Sequence, residues 1–137
     1  MPTVWLNFDG KQHESASRAL ATQSVSHVVK VKRYEVRWAQ LDPTEGAEMS
    51  KTRPVVIVSL DALNQRLQTV TICPLTTQLH PTWRSRLSVR VARQAAEIAV
   101  DQIRTISKAR IGAKLGKLSG DDAAALRRLI IEMYGME

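Results

Sequence analysis

Cysteine is nearly missing: Cys73 is the single one in 137 residues. One thiol excludes an intramolecular disulfide and points to a reducing compartment, or to indifference to redox. No apolar run approaches the roughly 20 residues a helix needs to cross a bilayer, so no membrane association is expected. The N-terminus lacks a basic region followed by an apolar one, and no secretory signal is read. A cytoplasmic protein is expected. His13, His27 and His80 are far apart and Cys73 stands alone, so no zinc motif is legible. A Walker glycine loop and a dinucleotide fingerprint are missing too. No metal or cofactor is expected.

What is there fits an ordinary globular protein, 44% hydrophobic and 24% charged. The length suffices for one domain with its own core. The net charge is +7, of which +2 falls in the first 32 residues and +5 in the remainder. A basic domain suits a polyanion such as RNA, or an acidic protein partner. Plain solubility would need the same charge, and charge alone does not choose.

Residues 1–32 are mostly polar. Trp5, Leu6 and Phe8 form one short apolar cluster before the turn dipeptide Asp9-Gly10, and residues 15–26 read as a weak helix or as disorder. This stretch is read as a poorly structured or artefactual extension, and residues 33–137 as the folded domain.

Within that domain the stretch 42–59, DPTEGAEMSKTRPVVIVS, organises the rest. Its first half has loop chemistry. Its second half is a β-branched run opened by Arg53-Pro54, a buried central strand with Pro54 at its first residue. A guanidinium is thus fixed where a mobile loop meets a core strand, a place where binding groups are often found. Residues 34–41 alternate, with Tyr34, Val36 and Trp38 on one side, as in a half-buried strand. Further strands are expected at 68–75, 86–91, 97–100, 104–107 and 109–115, and a helical turn at 61–66. Gly112 and Gly116 suggest bends. Ser119 caps a last helix with an apolar stripe of Ala123, Leu126, Ile130 and Met133, ended by Gly135. The class is mainly β with a C-terminal helix, a small bent barrel. In the strand at 86–91, Arg86, Ser88 and Arg90 face outward. With Arg84 and Arg93 they make a phosphate-contacting face, or equally a solvated edge protected by charge.

Four blocks carry a resemblance: WAQLDPT at 38–44, GAEMSKTRP at 46–54, CPLTTQ at 73–78 and VDQIRTI at 100–106. In order and spacing they resemble the signature of the MazF/PemK family of toxin endoribonucleases. The resemblance implies an SH3-like barrel and metal-independent cleavage of single-stranded mRNA, in which the 2′-OH attacks the adjacent phosphate. It also implies a homodimer, a MazE/PemI-like antitoxin, and operator DNA bound through the toxin–antitoxin complex.

That chemistry needs a cation near the phosphate, a base near the 2′-OH and a proton donor near the leaving oxygen. Arg53 matches the family's catalytic arginine, and its planar fork suits phosphate oxygens; a rim salt bridge is the plainer reading. Thr76 matches the threonine that acts beside it, although a loop hydroxyl often bonds its own backbone. Glu48 matches a loop glutamate used as acid or base, against a solvated loop acid. Asp101 matches the base of the Kid/PemK branch, against an acid that holds turn amides. That branch's preceding His and Arg are here Ala47 and Ala99, so Arg53, Thr76 and Glu48 fit the MazF branch better. Thr77, Gln78, His80, Arg84, Arg86, Arg90 and Gln102 are the expected RNA contacts, and His80 is also a spare acid or base. Cys73 reads as a buried inert thiol. Where the family has Gly-Glu or Gly-Asp, this chain has Tyr34-Glu35, and a different first turn is expected. The rivals are a CcdB-like toxin that inhibits gyrase by protein binding, and an inactive paralogue.

Overall fold

The computed structural model describes residues 30–135; the readings of residues 1–29 lie outside them. The chain runs β1 (Glu35–Gln40), β2 (Thr52–Ile57), α1 (Asp61–Arg66), β3 (Thr69–Thr76), β4 (Arg86–Val91), β5 (Gln94–Ala99), β6 (Arg104–Ser107), β7 (Ile111–Lys117) and α2 (Gly120–Tyr134). Short 3-10 turns at Val100–Gln102 and Lys108–Arg110 flank β6. Val31 is already packed in the core, so the ordered chain reaches back before residue 33.

The sheet order is β4-β5-β3-β2-β1-β7, with β6 added to β3 and every pair antiparallel. β3 changes neighbours midway. Its first half pairs with β6, and Leu75 and Thr76 pair with β5. β7 slips register twice against β1, between Val36 and Arg37 and again between Arg37 and Ala39. Such bulges bend a strand and increase its twist. Together these curl the sheet into a half-barrel. Its end strands meet by packing: a Cβ on Gly116 would stand 3.0 Å from Val91 Cγ1, so glycine permits the approach.

Each face of the central strands has its own core. Val36, Trp38, Val56, Cys73, Leu75, Ile98 and Val100 line one face, and α2 covers it with Ala123 and Leu126. Ile130 and Met133 pack beside them, completing the expected stripe. Each fully buried leucine or isoleucine here contributes about 1.5–3 kcal/mol. Ser119 caps α2 by accepting the Asp122 N–H, with two acids in the first turn. The other face gathers Ala39, Leu41, Val55, Ile57, Ile72, Ile106 and Ile111.

Four local expectations change. β1 is buried on both faces because each faces a core, Val36 and Trp38 in one and Ala39 in the other. Its Glu35 and Arg37 form a buried ion pair at 3.0 Å, and Arg37 also donates to the Gly112 carbonyl. Pro54 is the third residue of β2, tolerated because the β2–β3 ladder starts only at Val55. β5 begins at Gln94 and ends at Ala99, which moves Asp101 onto a 3-10 turn. Tyr34 adopts φ 72°, the left-handed backbone glycine takes freely, with its ring between the Arg33 and Arg127 guanidinium groups.

Candidate active site

The ladder builds the site. β2 and β3 pair Val55 with Pro74, and beyond that last pair Arg53 donates to the carbonyl of Leu75, the residue before Thr76. Thr76 pairs with Glu97 on β5, and Glu97 with Ser88 on β4. Opposed residues of antiparallel strands share a face. Thr76, Glu97 and Ser88 therefore form one polar row across three strands, and Arg53 reaches its β3 end through the Leu75 carbonyl.

Arg53 is largely buried at the start of β2. Its Nε donates to the Ser50 carbonyl at 3.1 Å and its Nη1 to the Leu75 carbonyl at 3.4 Å. Leu75 immediately precedes Thr76. One guanidinium thus joins the loop before β2 to the end of β3. The Thr76 hydroxyl, buried at the end of β3, accepts the Gln78 N–H at 3.0 Å. The backbone-bonding habit of a loop threonine and the position beside Arg53 are both present.

Glu48 lies two residues before Ser50 on that loop and is exposed. Its carboxylate accepts the Glu45 N–H at 2.8 Å. The loop is clamped at its base. Gln102 Oε1 accepts the Met49 N–H at 3.1 Å, and Arg104 and Arg110 donate to the carbonyls of Leu41 and Gln40. Gln102 therefore holds the loop in place.

Asp101 is exposed on the turn Val100–Gln102. Its carboxylate acts on Cys73 and Tyr134. Burial first, and Asp101 second, push the Cys73 thiol up to about 12. The same two causes, with Cys73 third, raise the Tyr134 phenol, which donates to the Val100 carbonyl at 3.0 Å. A thiol with that proton affinity stays neutral, so Cys73 is inert as the sequence implied.

The arginine face divides. Arg86 was expected to face outward, but its side chain is buried and pairs with Glu97 at 2.9 Å. The reason lies eleven residues on: a buried carboxylate on β5 needs a cation, and Arg86 is its diagonal neighbour. Arg84 was also expected on that face; it pairs with Glu132 of α2 instead. Together with Ser85 and Met133, this pair lines an open cleft of about 320 Å³. Arg90 is exposed and donates to the Arg93 carbonyl.

Two residues the sequence reading passed over complete the site. Glu97 is fully buried, and its Oε1 accepts both the His80 N–H and Arg86 Nη1 at 2.9 Å. A lone acid in AAEIA was the signal: a charge among buried positions has a partner to be sought. Trp83 stacks on His80, with centroids 3.8 Å apart and planes 7° from parallel. The Arg86 guanidinium lies 4.8 Å from the Trp83 ring centre. Glu97 thus ties Thr76, the loop after it and the start of β4 into one unit.

Residues 32–134 match the family model of the PemK-like, MazF-like toxin of type II toxin-antitoxin systems. The chain belongs to this family. The PemK/MazF-like chain is 30% identical over 99 residues to endoribonuclease EndoA of Bacillus subtilis, an alignment spanning 66% of this chain and 83% of EndoA. Its fold is that of MazF from Deinococcus radiodurans, with a TM-score of 0.71 at 19% identity over 80% of this chain and all of that one. It is also similar to a mycobacterial endoribonuclease solved in complex with its cognate antitoxin. There the TM-score is 0.66 at 20% identity, over 78% of this chain and 97% of that one. The bent, mainly β architecture with a C-terminal helix expected from the strand order, and the MazF-type fold the resemblance implied, are both observed.

Proposed function

We propose that this PemK/MazF-like toxin is a metal-independent endoribonuclease that cuts single-stranded mRNA at selected sequences. The observation that carries the reading is the meeting of Arg53 and the end of β3 at Thr76, beside the loop that bears Glu48. The RNA 2′ oxygen gives its proton to the base and bonds to the adjacent phosphorus, and the P–O5′ bond breaks as the leaving O5′ takes a proton from water. The products are a 2′,3′-cyclic phosphate and a 5′-OH. Arg53 offsets the charge that builds on the phosphate, where a preorganised donor acts most strongly. The Thr76 hydroxyl bonds a non-bridging oxygen. Glu48 takes the 2′-OH proton from its exposed loop; Asp101, on the turn after β5, is the alternative base.

Thr77, Gln78, His80 and Arg90 contact the RNA chain, and Gln102 shapes the loop that carries Glu48. Arg86 acts from beneath through Glu97. The active species is a homodimer whose site is covered by a MazE/PemI-like antitoxin, and the toxin–antitoxin pair binds operator DNA. Support comes from the +7 charge, from a relative named as an endoribonuclease and from a structural neighbour solved with its antitoxin.

The test uses mRNA, and the same sequence as single-stranded DNA, incubated with the purified chain. RNA cut at recurring sites while DNA stays whole supports the reading, since only RNA carries the 2′-OH. Intact RNA together with inhibited gyrase overturns it in favour of a protein-binding toxin.

A further inference from the structure

The geometry points to a nucleobase-stacking subsite formed by Trp83 and His80, one strand away from the Arg53–Thr76 pair. It rests on the RNA reading above and adds to it the place where a base docks. Trp83 is 49% exposed although its ring is parallel to His80 and backed by Arg86. Here the His80–Trp83 stack is already assembled and the indole keeps about half of its surface open.

The stack is also held in place from below. His80 is fixed by its own N–H on buried Glu97. The Trp83 N–H donates to the His80 carbonyl at 2.9 Å, and the Arg86 N–H to the Trp83 carbonyl at 3.2 Å. Glu97 is in turn the ladder partner of Thr76. A base resting on this surface is held at a fixed offset from the phosphate that Arg53 and Thr76 address. Aromatic stacking is a sequence-tolerant way to grip single strands, and the neighbouring cation strengthens it. The ligand class is therefore an unpaired nucleobase of single-stranded RNA. Its edge, rather than its face, is left for Gln78 and the loop to read.

The probe is a randomised 2′-O-methyl RNA dodecamer, which has no 2′ proton to lose and reports binding without cleavage. A second dodecamer keeps the backbone but lacks bases. Trp83→Ala is expected to weaken binding of the base-bearing strand about tenfold or more, and to leave the abasic strand unchanged. Trp83→Phe should keep most of the affinity, and a thermal melt of each variant checks the fold. Equal affinity of wild type and Trp83→Ala, or equal loss on both strands, overturns the subsite. The two readings fail separately. A wild type that cuts RNA but binds independently of Trp83 sinks only the subsite. One that binds through Trp83 but leaves RNA whole sinks only the nuclease.

Discussion

The Arg86 guanidinium lies 2.9 Å from the Glu97 carboxylate, and both side chains are buried beneath the loop that follows Thr76. Each needs the other. Removing one partner strands a buried charge, which costs about 3–5 kcal/mol. Glu97→Ala is therefore expected to lower the midpoint of urea unfolding strongly and to free the 77–85 loop from its His80 anchor. Glu97→Gln keeps an acceptor for His80 N–H and should lose less. Equal midpoints for Glu97→Ala and wild type would contradict the anchor.

The β4–β5 hairpin turns through Ala92 and Arg93, at φ 52° and 66°. Two left-handed residues in a two-residue turn favour Asn-Gly. Ala92→Asn with Arg93→Gly should stabilise the fold by roughly 1 kcal/mol, the scale of left-handed strain relieved per residue. Chemical denaturation reads this, and a lower midpoint would refute it. The turn is at the far end of β4 from Arg86, so any change in RNA cleavage reports on the Arg90–Arg93 end of that strand.

Burial holds the Cys73 thiol up at about 12, against an ordinary value of 9.0. A thiol reagent at pH 8 should leave the native protein unlabelled and should label it once unfolded in urea. Below pH 9 both states keep the proton, and this group adds no pH dependence. Between pH 9 and 12 the unfolded state loses its proton while the folded state keeps it, so stability falls by about 1.4 kcal/mol per pH unit from this residue. A Cys73→Ala variant should lack that part of the slope.

Much of the fold was legible because its strands are β-branched runs between turn residues, as in TRPVVI, and because Ser119 and Gly135 bracket α2. The candidate site was legible only along the chain. Arg53, Thr76 and Glu48 carry family motifs, whereas the pairing of Thr76 with Glu97 and the bond from Arg53 to the Leu75 carbonyl are products of strand packing. Arg86 shows the limit most clearly. Alternation placed it outward, and a carboxylate on the next strand, invisible to local pattern, turned it inward. β5 lost its first half for a related reason. QAAEIA has little β propensity and is a strand because β3 and β4 flank it. The left-handed Tyr34 escaped because a bulky residue there is held by its surroundings rather than by its own preference.

The row through Thr76 predicts how the site fails. Thr76→Val keeps the volume but removes the acceptor of Gln78 N–H. It should reduce RNA cleavage while costing about 1–3 kcal/mol for the stranded amide. Thr76→Ser should restore both. Parallel cleavage assays and melts separate the two effects, and unchanged cleavage by Thr76→Val would remove Thr76 from the chemistry.

The most direct measurement is the chemistry of the RNA ends made in EDTA by wild type and by Arg53→Ala. Wild type should give 2′,3′-cyclic phosphate and 5′-OH ends, and the variant a rate about a hundredfold to a thousandfold lower, with a melt of Arg53→Ala reading separately the stability lost with its bonds to the Ser50 and Leu75 carbonyls. Undiminished cleavage by Arg53→Ala, or 5′-phosphate ends from wild type, would contradict this chemistry.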